Sequence, residues 1–303
     1  MKMKTILLGL CLSALSLASM AQVVEKMPVI HAHRGGAAVM PENTIPAMIN
    51  AVKIGTPVLE LDMQITKDSL VVVSHDAFLN HVKALKPDGS PVTKDEERGL
   101  KIFSMPYDSL KRYDLGTQHN PQFPNRRDVP GVHIPLVTEL IDSVEATTQR
   151  LGLPPVSYNI EIKSWPDHDG IYSPDYRTFS DLCMKALLSK HLGDRLLVQC
   201  FDSRSLNYVH AHYPTVRLSY LVEPEKGVSF DSLMHRLDFV PQVISPDHKM
   251  VDAKFMASSR KLGMQVVPWT VDDKKEALRL KHLGVDAIIT NRPDAMKEWL
   301  KEK

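Results

Sequence analysis

The residues of this chain best suited to chemistry sit at the ends of apolar runs. The first group is Ile30-His31-Ala32-His33-Arg34-Gly35-Gly36, entered from Pro28 and followed by Pro41-Glu42-Asn43-Thr44. An imidazole exchanges protons near neutral pH. A guanidinium can hold a phosphate through two parallel hydrogen bonds. Two glycines let the backbone come close to whatever is bound. His33 and Arg34 at such a tip therefore suggest chemistry on a phosphate ester.

A second group lies in Val58-Leu59-Glu60-Leu61-Asp62-Met63, and a third in Asn159-Ile160-Glu161-Ile162-Lys163. Side chains alternate faces along a strand, so Glu60 and Asp62 point the same way, about 7 Å apart, as do Glu161 and Lys163. Carboxylates among valines and leucines are costly unless neutralised. Glu161 and Lys163 alone fit a buried carboxylate–lysine network equally well. With Glu60 and Asp62 added, a metal is the better reading: three oxygen ligands for a hard divalent cation, Ca²⁺ or Mg²⁺ rather than zinc. Val71-Val72-Val73-Ser74-His75-Asp76 ends a further apolar run in a histidine. Cleaving a phosphodiester requires a base for the attacking oxygen and an acid for the leaving one, and His33 and His75 can divide that work.

Alternating elements must position these groups. Strands are expected at Val29-His33, Val58-Ile65, Val156-Lys163, Leu196-Phe201, Val216-Val222, Val243-Ser245, Gln265-Thr270 and Ala287-Thr290. Helices are expected at Thr44-Ile54, Val137-Gln149, Tyr176-His191, Ser203-His212, Phe230-Leu237, Asp252-Leu262, Lys274-Leu283 and Asp294-Leu300. About eight strand–helix units in one domain predict an α/β fold, a (β/α)8 TIM barrel. An open doubly wound sheet is the alternative, but no glycine-rich dinucleotide fingerprint supports it. A polar insertion, about residues 77–134, breaks the rhythm and is too long for an ordinary loop. It is expected to fold over the catalytic end of the barrel, with Tyr107, Leu110, Tyr113, Leu115 and Phe123 available to pack. A short helix is expected near Ser104–Leu110.

The N-terminus has a different character. A basic start, an apolar run from Ile6 to Leu17, and Ser19 and Ala21 as small residues two apart read as a signal peptide, residues 1–21, cleaved after Ala21. An uncleaved anchor is the alternative. The mature domain would then be residues 22–303, exported to the periplasm or secreted, with no stable membrane insertion after cleavage. Cys11 follows Leu10, where lipid attachment would require a small residue. Export permits a disulfide between Cys183 and Cys200, but two separate buried thiols are the favoured reading. The chain has 303 residues, 43% hydrophobic and 24% charged, with formal net charge +1. That balance suits a sizeable core and offers no case for nucleic acid as a partner.

Taken together, His33-Arg34-Gly35, Pro41-Glu42-Asn43-Thr44, Glu60-Leu61-Asp62, His75-Asp76, Ile160-Glu161-Ile162-Lys163, Trp269-Thr270-Val271 and Gly284-Val285-Asp286-Ala287-Ile288-Ile289-Thr290 resemble the glycerophosphodiester phosphodiesterase family, in family order and across nearly all of the mature chain. The resemblance implies a TIM barrel, a divalent cation on Glu60, Asp62 and Glu161, and His33 and His75 as the acid–base pair. It implies Arg34 and Lys163 on the phosphate and Trp269 along the glycerol. The reaction it implies is metal-dependent hydrolysis of small-molecule glycerophosphodiesters to glycerol 3-phosphate and an alcohol, through a cyclic phosphate, in phospholipid breakdown. Ala77-Phe78-Leu79-Asn80-His81 departs from the leucine–arginine–threonine continuation common in the family, and Pro246-Asp247-His248 has no assigned role. Glu42 lies near the family's site, but helix capping explains it equally well.

Other functions fit the residues less well. A lysophospholipase D-type activity would use the same site and need an apolar wall. A metal-dependent amidohydrolase would use His31 and His33 as a zinc pair, but it also needs histidines on later strands, and Leu218-Ser219-Tyr220-Leu221 carries none. A non-catalytic phosphate-binding barrel would lack a site residue, and none is lost. His31 is expected to be packed inside the barrel. His81, His119, His133, His168 and His248 are expected in solvated loops.

Overall fold

The structure, a computed structural model, describes residues 27–302; the signal-peptide reading falls on residues 1–21, outside them. The described residues carry nine strands: β1 Val29–Ala32, β2 Val58–Ile65, β3 Val71–Val73, β4 Ser157–Ile162, β5 Leu196–Cys200, β6 Arg217–Val222, β7 Val243–Pro246, β8 Gln265–Val266 and β9 Ala287–Thr290. The α-helices are α1 Ile45–Ile54, α2 Lys94–Glu97, α3 Tyr107–Leu110, α4 Val137–Arg150, α5 Tyr176–Leu188, α6 Ser203–His212, α7 Phe230–Met234, α8 Ala253–Lys261, α9 Lys274–Leu283 and α10 Pro293–Trp299.

Eight strands run parallel in the order β8-β7-β6-β5-β4-β2-β1-β9, and β3 pairs antiparallel with β2. The result is a nearly closed (β/α)8 barrel. Across the seam between β8 and β9 run three backbone hydrogen bonds, Asp286 N–H to Val266 O, Ile289 N–H to Pro268 O and Val271 N–H to Ile289 O. The strand expected through Thr270 ends at Val266, because Pro268 brings no N–H to the ladder.

The alternation of β2 sets the architecture. Leu59, Leu61, Met63 and Ile65 pack outward into the large core between sheet and helices. Glu60, Asp62 and Gln64 take the opposite face, toward the barrel interior. The lower interior is closed by Leu197, Val243, Val267, Ala287 and Ile289. Polar groups among them are paired: Ser219 with Ser245 at 2.8 Å, and Asn159 with both Gln199 and His31.

Residues 77–134 build a core of their own, in which Leu79, Ala84, Val92, Ile102 and Leu110 pack with Val72 and Ile134. Tyr107, Tyr113 and Leu115 pack against it, and the expected short helix is α3. Phe123 stays outside this cluster and only half-buried. Cys183 and Cys200 are buried free thiols. Among the described residues no helix is long and apolar enough to cross a membrane.

Candidate active site

β1 delivers its chemistry through a tight turn. His33–Gly35 form a single 3-10 turn, with Arg34 at φ 52° and Gly35 at φ 79°. A side chain at Gly35 would lie 2.9 Å from the Cβ of Ala47 on α1, so the turn is wedged against the helix start. Thr44 caps α1 by accepting from the Ala47 N–H at 3.3 Å. Glu42 therefore has no capping task. It accepts from Arg34 at 3.1 Å and from Lys83 at 2.7 Å.

The three acidic groups converge. One oxygen from each of Glu60, Asp62 and Glu161 lies within 4.8 Å of the others, and all three side chains are buried. Glu60 accepts the Arg34 backbone N–H and the Gln199 amide, each at 2.8 Å. Asp62 accepts the Asn43 amide at 2.8 Å through Oδ2, and its Oδ1 has no hydrogen-bond donor. Glu161 has the Lys163 ammonium 3.0 Å away. Burial, with Asp62 and Glu161 adding repulsion, pushes the Glu60 carboxyl well above its usual range. Burial carries Glu161 up to about 7 despite Lys163. Asp62 is held down, its burial outweighed by His75, Lys163 and Arg34. Three close carboxylates that cannot all ionise unaided, two of them with an oxygen that accepts no hydrogen bond, form an all-oxygen set that fits a hard divalent cation.

His33 and His75 are each oriented through Nδ1, which leaves Nε2 free. His33 Nδ1 meets Asn291 Oδ1 at 2.7 Å, and Asn291 is itself held by Asp272 at 2.7 Å. His75 Nδ1 meets Asp76 Oδ1 at 3.0 Å. Burial and then Arg34 push His33 down to about 3, and the same two causes lower His75. Burial thus favours the neutral form of both imidazoles. The strand–histidine segment ending at His75 is β3, the antiparallel return beside β2, so this histidine comes from outside the eight-stranded barrel.

These groups open into a cavity of about 360 Å³ at the C-terminal mouth of the barrel. His33, Arg34, Glu60, His75, Glu161, Lys163 and Trp269 line it. Asp62 lies beneath, with Arg34 Nε 3.6 Å from its Oδ2. Trp269 is anchored by its indole N–H on the Ser245 carbonyl at 2.8 Å. Beside it stand Phe201, edge-on at 5.4 Å, and Trp165, stacked on Phe201 at 5.1 Å. The sequence reading missed Asn43, Asn291, Gln199, Phe201 and Trp165. Asn43 was legible, since it follows Glu42 and takes φ 57°, which asparagine tolerates. The others sit within three residues of strand ends, with no signal beyond that position.

Of the remaining histidines, His31 and His119 stand as expected and four require correction. His31 is packed inside the barrel, 3.3 Å from the Asn159 amide, and is held neutral by burial and Arg217. His168 lines the cavity, packed on Tyr172 with ring centroids 5.0 Å apart, rather than standing in a solvated loop. His81 is bonded to Glu97 and His248 to Glu276, each at 2.7 Å, and His133 is half-buried. Of the five only His119 is exposed. The loop carrying His168 folds back on the cavity and the others find partners or partial cover, which a polar composition does not reveal. Asp247 caps the turn His248–Met250.

Residues 33–295 match the glycerophosphoryl diester phosphodiesterase family. The chain is 30% identical over 275 residues to a glycerophosphodiester phosphodiesterase of Bacillus altitudinis, covering 88% of this chain and 96% of that one. A candidate glycerophosphoryl diester phosphodiesterase of Silicibacter pomeroyi superposes with TM-score 0.80 at 23% identity, over 91% of this chain and 94% of that one. A phosphodiesterase of Oleispira antarctica, solved with sn-glycerol-3-phosphate, superposes with TM-score 0.71 at 20% identity, over 91% and 98%.

Proposed function

Because the chain belongs to the glycerophosphoryl diester phosphodiesterase family, we infer that the barrel-mouth cavity is its active site and divide the work among the residues there. The chain is a phosphoric diester hydrolase of glycerophosphodiesters. The observation that carries the site assignment is the convergence of three buried carboxylates, two imidazoles, Arg34 and Lys163 on one cavity.

Glu60, Asp62 and Glu161 would hold a divalent cation, Ca²⁺ or Mg²⁺. When bound, it would supply positive charge against the phosphoryl oxygens. Arg34 and Lys163 orient the phosphate and stabilise charge that builds on it. One of His33 and His75 takes the proton of the glycerol 2-hydroxyl through Nε2, and that oxygen attacks phosphorus. The other, which must carry a proton at Nε2 when the substrate binds, gives it to the departing alcohol. A cyclic phosphate results, and water activated by the same pair opens it to glycerol 3-phosphate. Trp269 covers the glycerol, and the aromatic wall keeps bulk water from competing.

A second substrate reading, a lysophospholipid on the same site, is favoured by the apolar surface of Phe78, Trp165, Phe201, Leu221 and Trp269. The experiment is a panel of glycerophosphodiesters and lysophospholipids, each with Ca²⁺ and with Mg²⁺, followed by release of glycerol 3-phosphate or lysophosphatidic acid. Turnover of the deacylated diesters alone supports the first reading. Preference for the acylated substrates supports the second. Silence across the panel overturns both. Export is part of the same proposal: the secreted or periplasmic protein begins at Gln22, which N-terminal sequencing checks.

A further inference from the structure

Most of the charged groups around the cavity come from the barrel. Lys83 comes from the insertion. Its ammonium lies 2.7 Å from Glu42 Oε1 and 2.7 Å from Asp76 Oδ2. Glu42 Oε1 in turn accepts from Arg34 at 3.1 Å, and Asp76 Oδ1 holds His75 Nδ1 at 3.0 Å. The five side chains form one unbroken line: imidazole, carboxylate, ammonium, carboxylate, guanidinium. Its two ends lie on separate segments, the turn after β1 and the segment after the antiparallel β3. Its middle is fixed by the insertion, since Ala84, next in sequence, is fully buried in the insertion's own core. The Lys83 N–H is bonded to Asn80 O, and Asn80 also donates to Asp76 at 3.1 Å.

We propose that Lys83 is a positioning residue for catalysis, the tie through which the insertion sets the spacing between the phosphate-holding Arg34 and the proton-transferring His75. Without the ammonium, two half-buried carboxylates drawn to one point would repel each other. Each would carry its partner with it, Glu42 drawing Arg34 away and Asp76 turning the His75 ring. A small misplacement of reacting groups is costly in rate. This inference rests on the assignment of Arg34 and His75 above.

The test compares Lys83→Met and Lys83→Arg with the parent on a glycerophosphodiester it turns over, with thermal midpoints measured alongside. Partners that orient functional side chains are typically worth about 10- to 100-fold. Lys83→Met should lower kcat per folded molecule by about that factor and raise KM as well, since it touches both ends of the line. Lys83→Arg, which keeps the cation, should recover a large part of the loss. Adding Glu42→Gln to Lys83→Met should cost less than the product of the two single losses. If Lys83→Met does not fold, Lys83→Gln replaces it. Parent values of kcat and KM per folded molecule in the charge-free variant, whatever its midpoint, would overturn the proposal. So would a Lys83→Arg variant no better than Lys83→Met. Arg34→Gln and His75→Ala run in parallel: retained turnover in those two would mean that the site assignment had failed, not the tie.

Discussion

His31 and His33 stand two residues apart on the same strand and lead opposite lives. His31 lies in the barrel interior, where the Asn159 amide meets it and donates to Gln199, and Ser219 pairs with Ser245. His33 lies at the mouth, where carboxylates crowd, Asp62 Oδ1 has no donor, and Arg34 takes a left-handed backbone. The interior is polar and mostly paired, with Asn159 Oδ1 left without a donor. The mouth is polar and left incomplete. Unsatisfied buried charge and backbone strain persist only where the surrounding structure enforces them, and they concentrate at working sites. The difference between the two histidines is therefore not burial but charge: the interior around His31 is neutral, whereas the mouth around His33 gathers carboxylates that a cation would balance.

The sharpest way to break this comparison is to remove what would complete the mouth. Chelation should abolish turnover, with Ca²⁺ or Mg²⁺ restoring it, and Asp62→Asn or Glu161→Gln should cost several kcal/mol of barrier, roughly 10³-fold or more in kcat. Full activity after exhaustive chelation, with no metal by elemental analysis, would take the carboxylates out of that role. Next come the imidazoles. His33→Ala and His75→Ala should each lower kcat by about 10²–10⁴-fold. Their thermal midpoints should stay near the parent's, and the double variant should lose less than the product.

A smaller effect concerns acid. Burial alone would raise the Glu42 carboxyl, but Lys83 and Arg34 outweigh it and hold the group at about 2. A depressed folded-state pKa contributes stability above the unfolded value near 4.5, and that stability is lost as pH falls toward 2. The contribution is roughly 3 kcal/mol, and denaturant titrations at stepped pH should show Glu42→Gln losing much of that acid sensitivity. The smallest effect belongs to the interior. His31→Asn should lower the thermal midpoint by a few degrees and leave kcat within about tenfold, as expected of a buried polar group kept satisfied. Should it abolish turnover while His75→Ala does not, the two histidines have been read in the wrong order, and a zinc pair on His31 and His33 becomes the better account.

The barrel was legible in the sequence because β2, β4, β5 and β6 are apolar runs set apart by amphipathic helices, and buried parallel strands leave that trace. The acidic trio was legible because charge inside such a run has few explanations. The orienting partners were not. Asn291 and Gln199 look like ordinary polar residues near strand ends, and only closure of the barrel brings Asn291 to His33, 258 positions earlier. The solvated-loop reading of His168 failed for a related reason, since polarity says nothing of which way a βα loop folds. Lys83 illustrates the same limit: its two carboxylates come from separate loops, and no local pattern links them.

The barrel's seam has a mechanical meaning. Hoops joined evenly all round resist widening everywhere, whereas a split hoop yields at the split. β4 is paired on both sides for most of its length, but β8 and β9 meet through only three hydrogen bonds. The amides of Val271 and Ile289 should therefore exchange with deuterium sooner than those of Leu61 and Ile160. Trp269, which lines the cavity, is carried on this flank, so widening there would move the aromatic wall and leave the acidic trio in place.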